Sequence, residues 1–139
     1  MFSIGVVGYS GAKFDEETAK TLLETALDLM ENIYKNHGEF ELVSGLTDMG
    51  IPAIAYRIAD KKGWKLVGIA CELADENPCY DVDEVIIEGK DWGSESQTFL
   101  NRLDVLIRAG GGPQSMDETE KAKKMKIPVY EFDLPEKGE

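Results

Sequence analysis

Six short apolar runs punctuate the chain, at residues 2–7, 40–43, 65–70, 82–87, 104–108 and 128–132, most of them bounded by glycine. Several are apolar at consecutive positions, as strands covered on both faces must be. Between them the period changes. Over residues 15–36, Ala19, Leu22, Leu23, Ala26, Met30, Ile33 and Tyr34 recur at spacings of three and four, which predicts a helix with one apolar face. Ile51, Ile54, Ala55, Ile58 and Ala59 repeat that spacing over residues 51–62, and weaker helical patterns cover 94–102 and 115–124. Strands alternating with helices through short connections predict an α/β fold, a Rossmann-like doubly wound, mostly parallel sheet with helices on both faces. A closed barrel would need eight such units, more than these residues can build. No repeat, low-complexity stretch or linker interrupts the pattern. Residues 1–134 therefore read as a single domain and 135–139 as a frayed tail.

In such a sheet, ligands bind beyond the carboxyl ends of the strands. Three loops there are rich in small residues: Gly8-Tyr9-Ser10-Gly11-Ala12-Lys13, Ser44-Gly45-Leu46-Thr47-Asp48-Met49-Gly50, and Ala109-Gly110-Gly111-Gly112-Pro113-Gln114-Ser115. The first and third lead towards helix N-termini, whose unpaired N–H groups and positive dipole end favour an anion. Glycine also lets backbone approach a phosphate closely. One glycine would make a turn, so three in succession at Gly110, Gly111 and Gly112 point to ligand approach. Ser115-Met116-Asp117-Glu118 fits a capping box, which would account for Ser115 and Glu118 structurally. A carboxylate beside a bound nucleotide could instead serve as general base or hold a ribose hydroxyl. Ser94-Glu95-Ser96-Gln97 reads as a second capping box.

Charge narrows the ligand. Fifteen Lys and Arg against 27 Asp and Glu give a net charge of −12 in 139 residues. So acidic a surface repels a nucleic-acid backbone and an anionic membrane, while loop amides can still hold one phosphate locally. The expected partner is a small nucleotide or other phosphate-bearing molecule, with no nucleic acid and no membrane. Cys71, Cys79 and the lone His37 make neither a disulfide framework nor a zinc site, so free thiols in a reducing cytoplasm and no metal or cofactor are expected.

The order and spacing of these motifs resemble the LOG-like proteins of the SLOG superfamily, once labelled putative lysine decarboxylases. Their hallmark is P-G-G-x-G-T-x-x-E after a hydrophobic strand. Gly111 and Gly112 fall on the paired glycines, Ser115 on the threonine and Glu118 on the closing glutamate; Gly110 stands for the proline and Gln114 for the third glycine. Gly50-Ile51-Pro52-Ala53 and Leu66-Val67-Gly68-Ile69 resemble the family's G-L-M-G helix and V-I-G-V strand, and Val6-Val7-Gly8-Tyr9-Ser10-Gly11 its first phosphate loop. The resemblance implies a nucleotide-binding Rossmann-like domain, usually a homodimer. In the family's cytokinin-activating enzymes it implies phosphoribohydrolase action on nucleoside 5′-monophosphates, using the motif glutamate and an arginine from an R-K-x-x-M stretch. Here that stretch reads Glu95-Ser96-Gln97-Thr98-Phe99, and Leu46-Thr47-Asp48 replaces the glycine-rich second loop.

The leading expectation is a small cytoplasmic nucleotide-binding protein. Gly8, Tyr9, Ser10, Gly11, Gly45, Thr47, Gly110, Gly111, Gly112, Gln114 and Ser115 would hold the ligand and its phosphate, with Glu118 at the ribose. One rival is an active N-glycosidic hydrolase in which Glu118 and Arg108 are catalytic, the Arg108 guanidinium replacing the missing arginine; the other reading of Arg108 is an ion pair. Further rivals are a non-enzymatic sensor or carrier of a nucleotide-like cofactor, and an interaction module with an empty crevice. Trp92, beyond a strand end, is the better base-stacking candidate and Trp64 the better core residue. His37 reads as a helix-end residue, and Lys121, Lys123, Lys124 and Lys126 as a solvated helix end.

Overall fold

A computed structural model of the chain describes residues 1–11 and 13–136. In chain order the elements are β1 (Phe2–Gly8), α1 (Glu16–Ile33), β2 (Phe40–Ser44), α2 (Gly50–Lys61), β3 (Lys65–Ala70), β4 (Glu84–Ile87), α3 (Ser96–Arg102), β5 (Val105–Ala109), α4 (Pro113–Lys124) and β6 (Val129–Phe132). All six strands pair in parallel, in the order β4-β3-β2-β1-β5-β6. The sheet is the one the alternation predicts. Between β3 and β4, however, only a 3-10 turn at Glu72–Glu76 intervenes.

Side-chain parity divides the core between the two faces. Ile4, Val6, Leu42, Leu66, Val105 and Ile107 pack with Leu23, Leu27 and Met30 of α1 and Ile51, Ala55 and Ile58 of α2. On the opposite face Val7, Val43, Val67 and Leu106 meet Phe99 and Leu100 of α3 and Ala122 of α4. The inner strands β1, β2, β3 and β5 are buried almost throughout, whereas the edge strands β4 and β6 are at most half-buried. Continuous apolar runs thus mark the strands with neighbours on both sides.

Strands β4 and β5 begin later than their apolar runs suggest, for a common reason. Asp83 accepts the Leu66 N–H through its carboxylate at 2.8 Å, and Asp104 accepts the Ser3 N–H in the same way at 2.8 Å. Each aspartate bonds its neighbour strand with a side chain where the ladder would use a carbonyl. At α1, Asp15 caps the helix, accepting from the Thr18 N–H at 3.2 Å. His37 lies in a 3-10 turn after α1, its ring against Phe2 and Tyr34. Of the expected tail, Pro135 and Glu136 are exposed and without regular structure, and residues 137–139 lie outside the described residues.

Candidate functional site

The chain winds outward from β1 to β4, then returns to place β5 on the other side of β1. The connections above β1 and β5 therefore diverge, which opens a crevice at their carboxyl ends. A cavity of about 330 Å³ lies there. Its walls come from the loops after β1 and β2, the ends of β1 and β3, the segment carrying Trp92 and Glu95, and the first turns of α4.

Of the ligand-holding residues expected from sequence, Gly8, Tyr9, Ser10, Gly11, Gly45, Thr47, Gly112, Gln114, Ser115 and Glu118 line this cavity. Gly110 and Gly111 do not. Both have positive φ, 62° and 116°, so they make the turn out of β5. A Cβ at Gly110 would also strike the Tyr9 ring. Gly8 is required by packing, since a Cβ there would overlap the Ala109 carbonyl and Ile51. Gly11, Gly45 and Gly112 are different: a Cβ on any of them would meet no atom within 4 Å. Those three expose backbone at the cavity without an internal packing demand.

Neither capping box forms. Helix α4 starts at Pro113, with Gly112 as its N-cap, because proline at the first helical position carries no N–H to lose. Ser115 is therefore inside the helix, and its hydroxyl donates to the Gly8 carbonyl at 3.3 Å, tying α4 to the end of β1. Ser94 likewise donates to the Asp91 carbonyl, at 2.5 Å, instead of capping α3. This frees Glu118 for the cavity, where its Oε2 accepts from the Ser96 hydroxyl at 2.7 Å. Burial holds the Glu118 carboxyl above the usual carboxylate range; Ser96 and Gln114 oppose that shift and the nearby Glu95 carboxylate adds to it.

Glu95 is the residue that sequence reasoning missed. The residue is 5% exposed. Oε1 accepts from the Gly93 N–H at 3.0 Å and from Gln114 Nε2 at 3.1 Å, while Oε2 is buried with no hydrogen-bond partner among the described residues. The available signal was its position where the resembling family carries an arginine. Among the described lining residues Glu95 and Glu118 are the only charged ones; none is Lys, Arg or His. Trp92, 53% exposed, also lines the cavity, whereas Trp64 is buried against Phe40.

Arg108 is not brought to the cavity. It sits opposite Glu131 in the β5–β6 register, and its guanidinium donates to Glu131 at 3.3 Å, to Asp133 at 3.4 Å and to the Gly110 carbonyl at 2.9 Å. The ion-pair reading of Arg108 is the one the geometry supports. The loop after β2 is pinned instead by backbone: Asp48 donates to the Pro78 carbonyl at 2.9 Å and Tyr80 to that of Leu46 at 2.7 Å. The Tyr56 hydroxyl lies 2.8 Å from the Gly45 carbonyl and 2.9 Å from that of Val67. Among the described residues no group of three or more His, Cys, Asp or Glu could hold a metal ion, and no helix is long and apolar enough to cross a membrane.

No protein-family model and no curated protein matches the sequence. Solved structures do match. An X-ray structure of a protein designated TM1055 superposes with a TM-score of 0.72 at 22% identity, over 93% of this chain and 72% of that one. A molybdenum-cofactor carrier protein from Chlamydomonas reinhardtii gives 0.68 at 25%, over 94% and 75% of the two chains. The molybdenum-cofactor binding protein of the phototrophic bacterium Rippkaea orientalis gives 0.72 at 22%, over 95% and 76%. The doubly wound, all-parallel sheet described above is thus the Rossmann-like α/β fold that these structures share.

Proposed function

We propose that this chain binds a small, phosphate-bearing, nucleotide-like cofactor in the cavity at the β1–β5 divide and carries it without turnover. The observation that supports this most directly is the cavity's rim: Gly11, Gly45 and Gly112 leave backbone open to it, with no side chain in the way. The first-turn N–H groups of α4 have no intrahelical acceptor and offer a phosphate site. Trp92 offers a face for a ring. The similarly folded molybdenum-cofactor carrier protein of Chlamydomonas reinhardtii supports a carrier role, and the molybdenum-cofactor binding protein of Rippkaea orientalis a binding one.

A second reading, hydrolysis of the N-glycosidic bond of a nucleoside 5′-monophosphate, is favoured by Glu118. A buried carboxyl with a raised pKa retains its proton at higher pH and could protonate a leaving base. Against it stands the lack, among the described lining residues, of a cation to stabilise ribose 5-phosphate, with Arg108 engaged elsewhere.

A proton NMR time course with nucleoside monophosphates, ADP-ribose and a pterin phosphate separates the two. Broadened ligand signals with no free base are expected. Free base that accumulates, and stops in Glu118→Gln, would move the assignment to the hydrolase. Unchanged spectra throughout would overturn both.

A further inference from the structure

The cavity holds two buried carboxylates, and one of them keeps an unused oxygen. Glu95 is fixed by two donors on Oε1, the Gly93 N–H and the Gln114 amide, and Gly93 itself takes a φ of 95° that few residues other than glycine adopt. Its Oε2 is buried and has no partner among the described residues. Buried polar atoms are rarely left so, and in a cavity wall the missing partner is most simply a ligand donor. Glu118 stands beside it, with Oε2 occupied by Ser96 and the Gln114 amide close to both carboxyls. Half-exposed Trp92 completes this wall.

Two carboxyls accept hydrogen bonds and repel acceptors. They suit a ring edge carrying adjacent donors and penalise one where donors and acceptors alternate. We infer that Glu95 and Glu118 together read the ring of the bound ligand, selecting a 2-amino-4-oxopyrimidine edge, in which a ring N–H and an exocyclic amino group lie side by side. Guanine and pterins share that edge. Hypoxanthine lacks the amino group. Adenine presents a ring nitrogen lone pair beside its amino group and would set that lone pair against a carboxylate.

This inference rests on the binding function proposed above, and calorimetric titration with GMP, IMP, AMP and neopterin phosphate distinguishes the failure of each. GMP, neopterin phosphate or both are expected to bind about tenfold or more tightly than IMP and AMP, the usual scale for two well-placed hydrogen bonds to a base edge. GMP tighter than neopterin phosphate would assign a guanine nucleotide, and the reverse a pterin. Glu95→Gln, which keeps shape and puts an amide where the free oxygen was, should bring the GMP-to-IMP ratio close to one. A wild-type protein that binds all four equally overturns the ring-reading role while leaving the binding function standing. A protein that binds none overturns both. The wild-type comparison decides the matter even if the variant folds poorly.

Discussion

The two ends of the sheet treat buried acid differently. At the amino ends of the strands, Glu41 accepts from the Ser3 hydroxyl at 2.6 Å and from Arg102, whose guanidinium also spans to Glu84, itself paired with Lys65. The side chain of Glu41 is 4% exposed, yet its carboxyl titrates below the usual range: burial would raise it, and Arg102 and Ser3 more than offset that. At the carboxyl ends Glu95 and Glu118 are as deeply buried and have only neutral donors, and Glu118 is shifted upward. A chain with 27 acidic residues had cations to place at either end. Arg102 and Lys65 stand where the sheet needs holding, while Arg108, buried at the carboxyl end of β5, pairs with Glu131 and Asp133 and leaves the described cavity lining without a cation. Unbalanced buried charge at one end only is what a site, rather than a scaffold, retains.

Removing the cation from the balanced end should have the largest effect. Arg102→Met leaves Glu41 buried against Ser3 alone, and loss of one partner from a buried pair typically costs 3–5 kcal/mol; with Arg102 still 25% exposed, about 2–4 kcal/mol is expected in urea denaturation at pH 7. The acid limb of stability should change too. Glu84 is held down to about 2 by Arg102 and Lys65, so its contribution is complete above the ordinary carboxylate pKa and is lost as pH falls from about 4.5 towards 2. Glu41, also lowered, adds in the same direction. The variant should show a flatter decline over that window. A variant as stable as the parent would mean that the network contributes nothing and the two ends do not differ.

That contrast was only half legible in the sequence. The alternation of apolar runs and amphipathic stretches encodes the sheet because burial on both faces forces consecutive apolar residues. It marks the loops at the carboxyl ends for the same reason, since each run must stop there. Partners between distant strands left no such trace. Arg108 precedes a glycine loop and looks directed at the crevice, yet cross-strand register sets it on Glu131. Ser115 and Glu118 match a capping box, but Pro113 starts the helix earlier and releases both. Glu95 lies inside a stretch that reads as a capping box, Ser94-Glu95-Ser96-Gln97, and becomes part of the site because α3 packs against α4 and Gln114 donates to it, a tertiary fact with no periodicity of its own.

At the unbalanced end the sign reverses and the size falls. A carboxyl whose folded pKa is raised stabilises the fold fully below its unfolded pKa, and that stability is lost as pH rises through the folded value. Glu118→Gln removes the cost of ionising in place and keeps an acceptor for Ser96. It should therefore stabilise the protein by about 1 kcal/mol above neutral pH, a few degrees in melting temperature, with the gain shrinking to nothing as pH falls below about 4.5. Melting curves between pH 4 and pH 8.5 test this. A constant difference across that range would mean that Glu118 is not titrating against its burial.

The smallest effect on stability should come from Gly112→Ala, and it bears most directly on what the open end is for. Gly112 has a φ of −91°, which alanine adopts freely, and an added Cβ would meet nothing within 4 Å. Alanine loses a few tenths of a kcal/mol or more as an N-cap, and gains about 0.4–1 kcal/mol by restricting the unfolded chain. The two nearly cancel, so stability should stay within about 0.5 kcal/mol. Its methyl nonetheless projects at the mouth of α4, where a phosphate would approach the first-turn amides. Ligand affinity should fall while the melting curve stays in place. Gly8→Ala supplies the opposite case, since its Cβ overlaps the Ala109 carbonyl and should unfold the sheet before any ligand is lost. If Gly112→Ala left affinity for every ligand of the panel untouched, the open backbone at this position would belong to the turn alone.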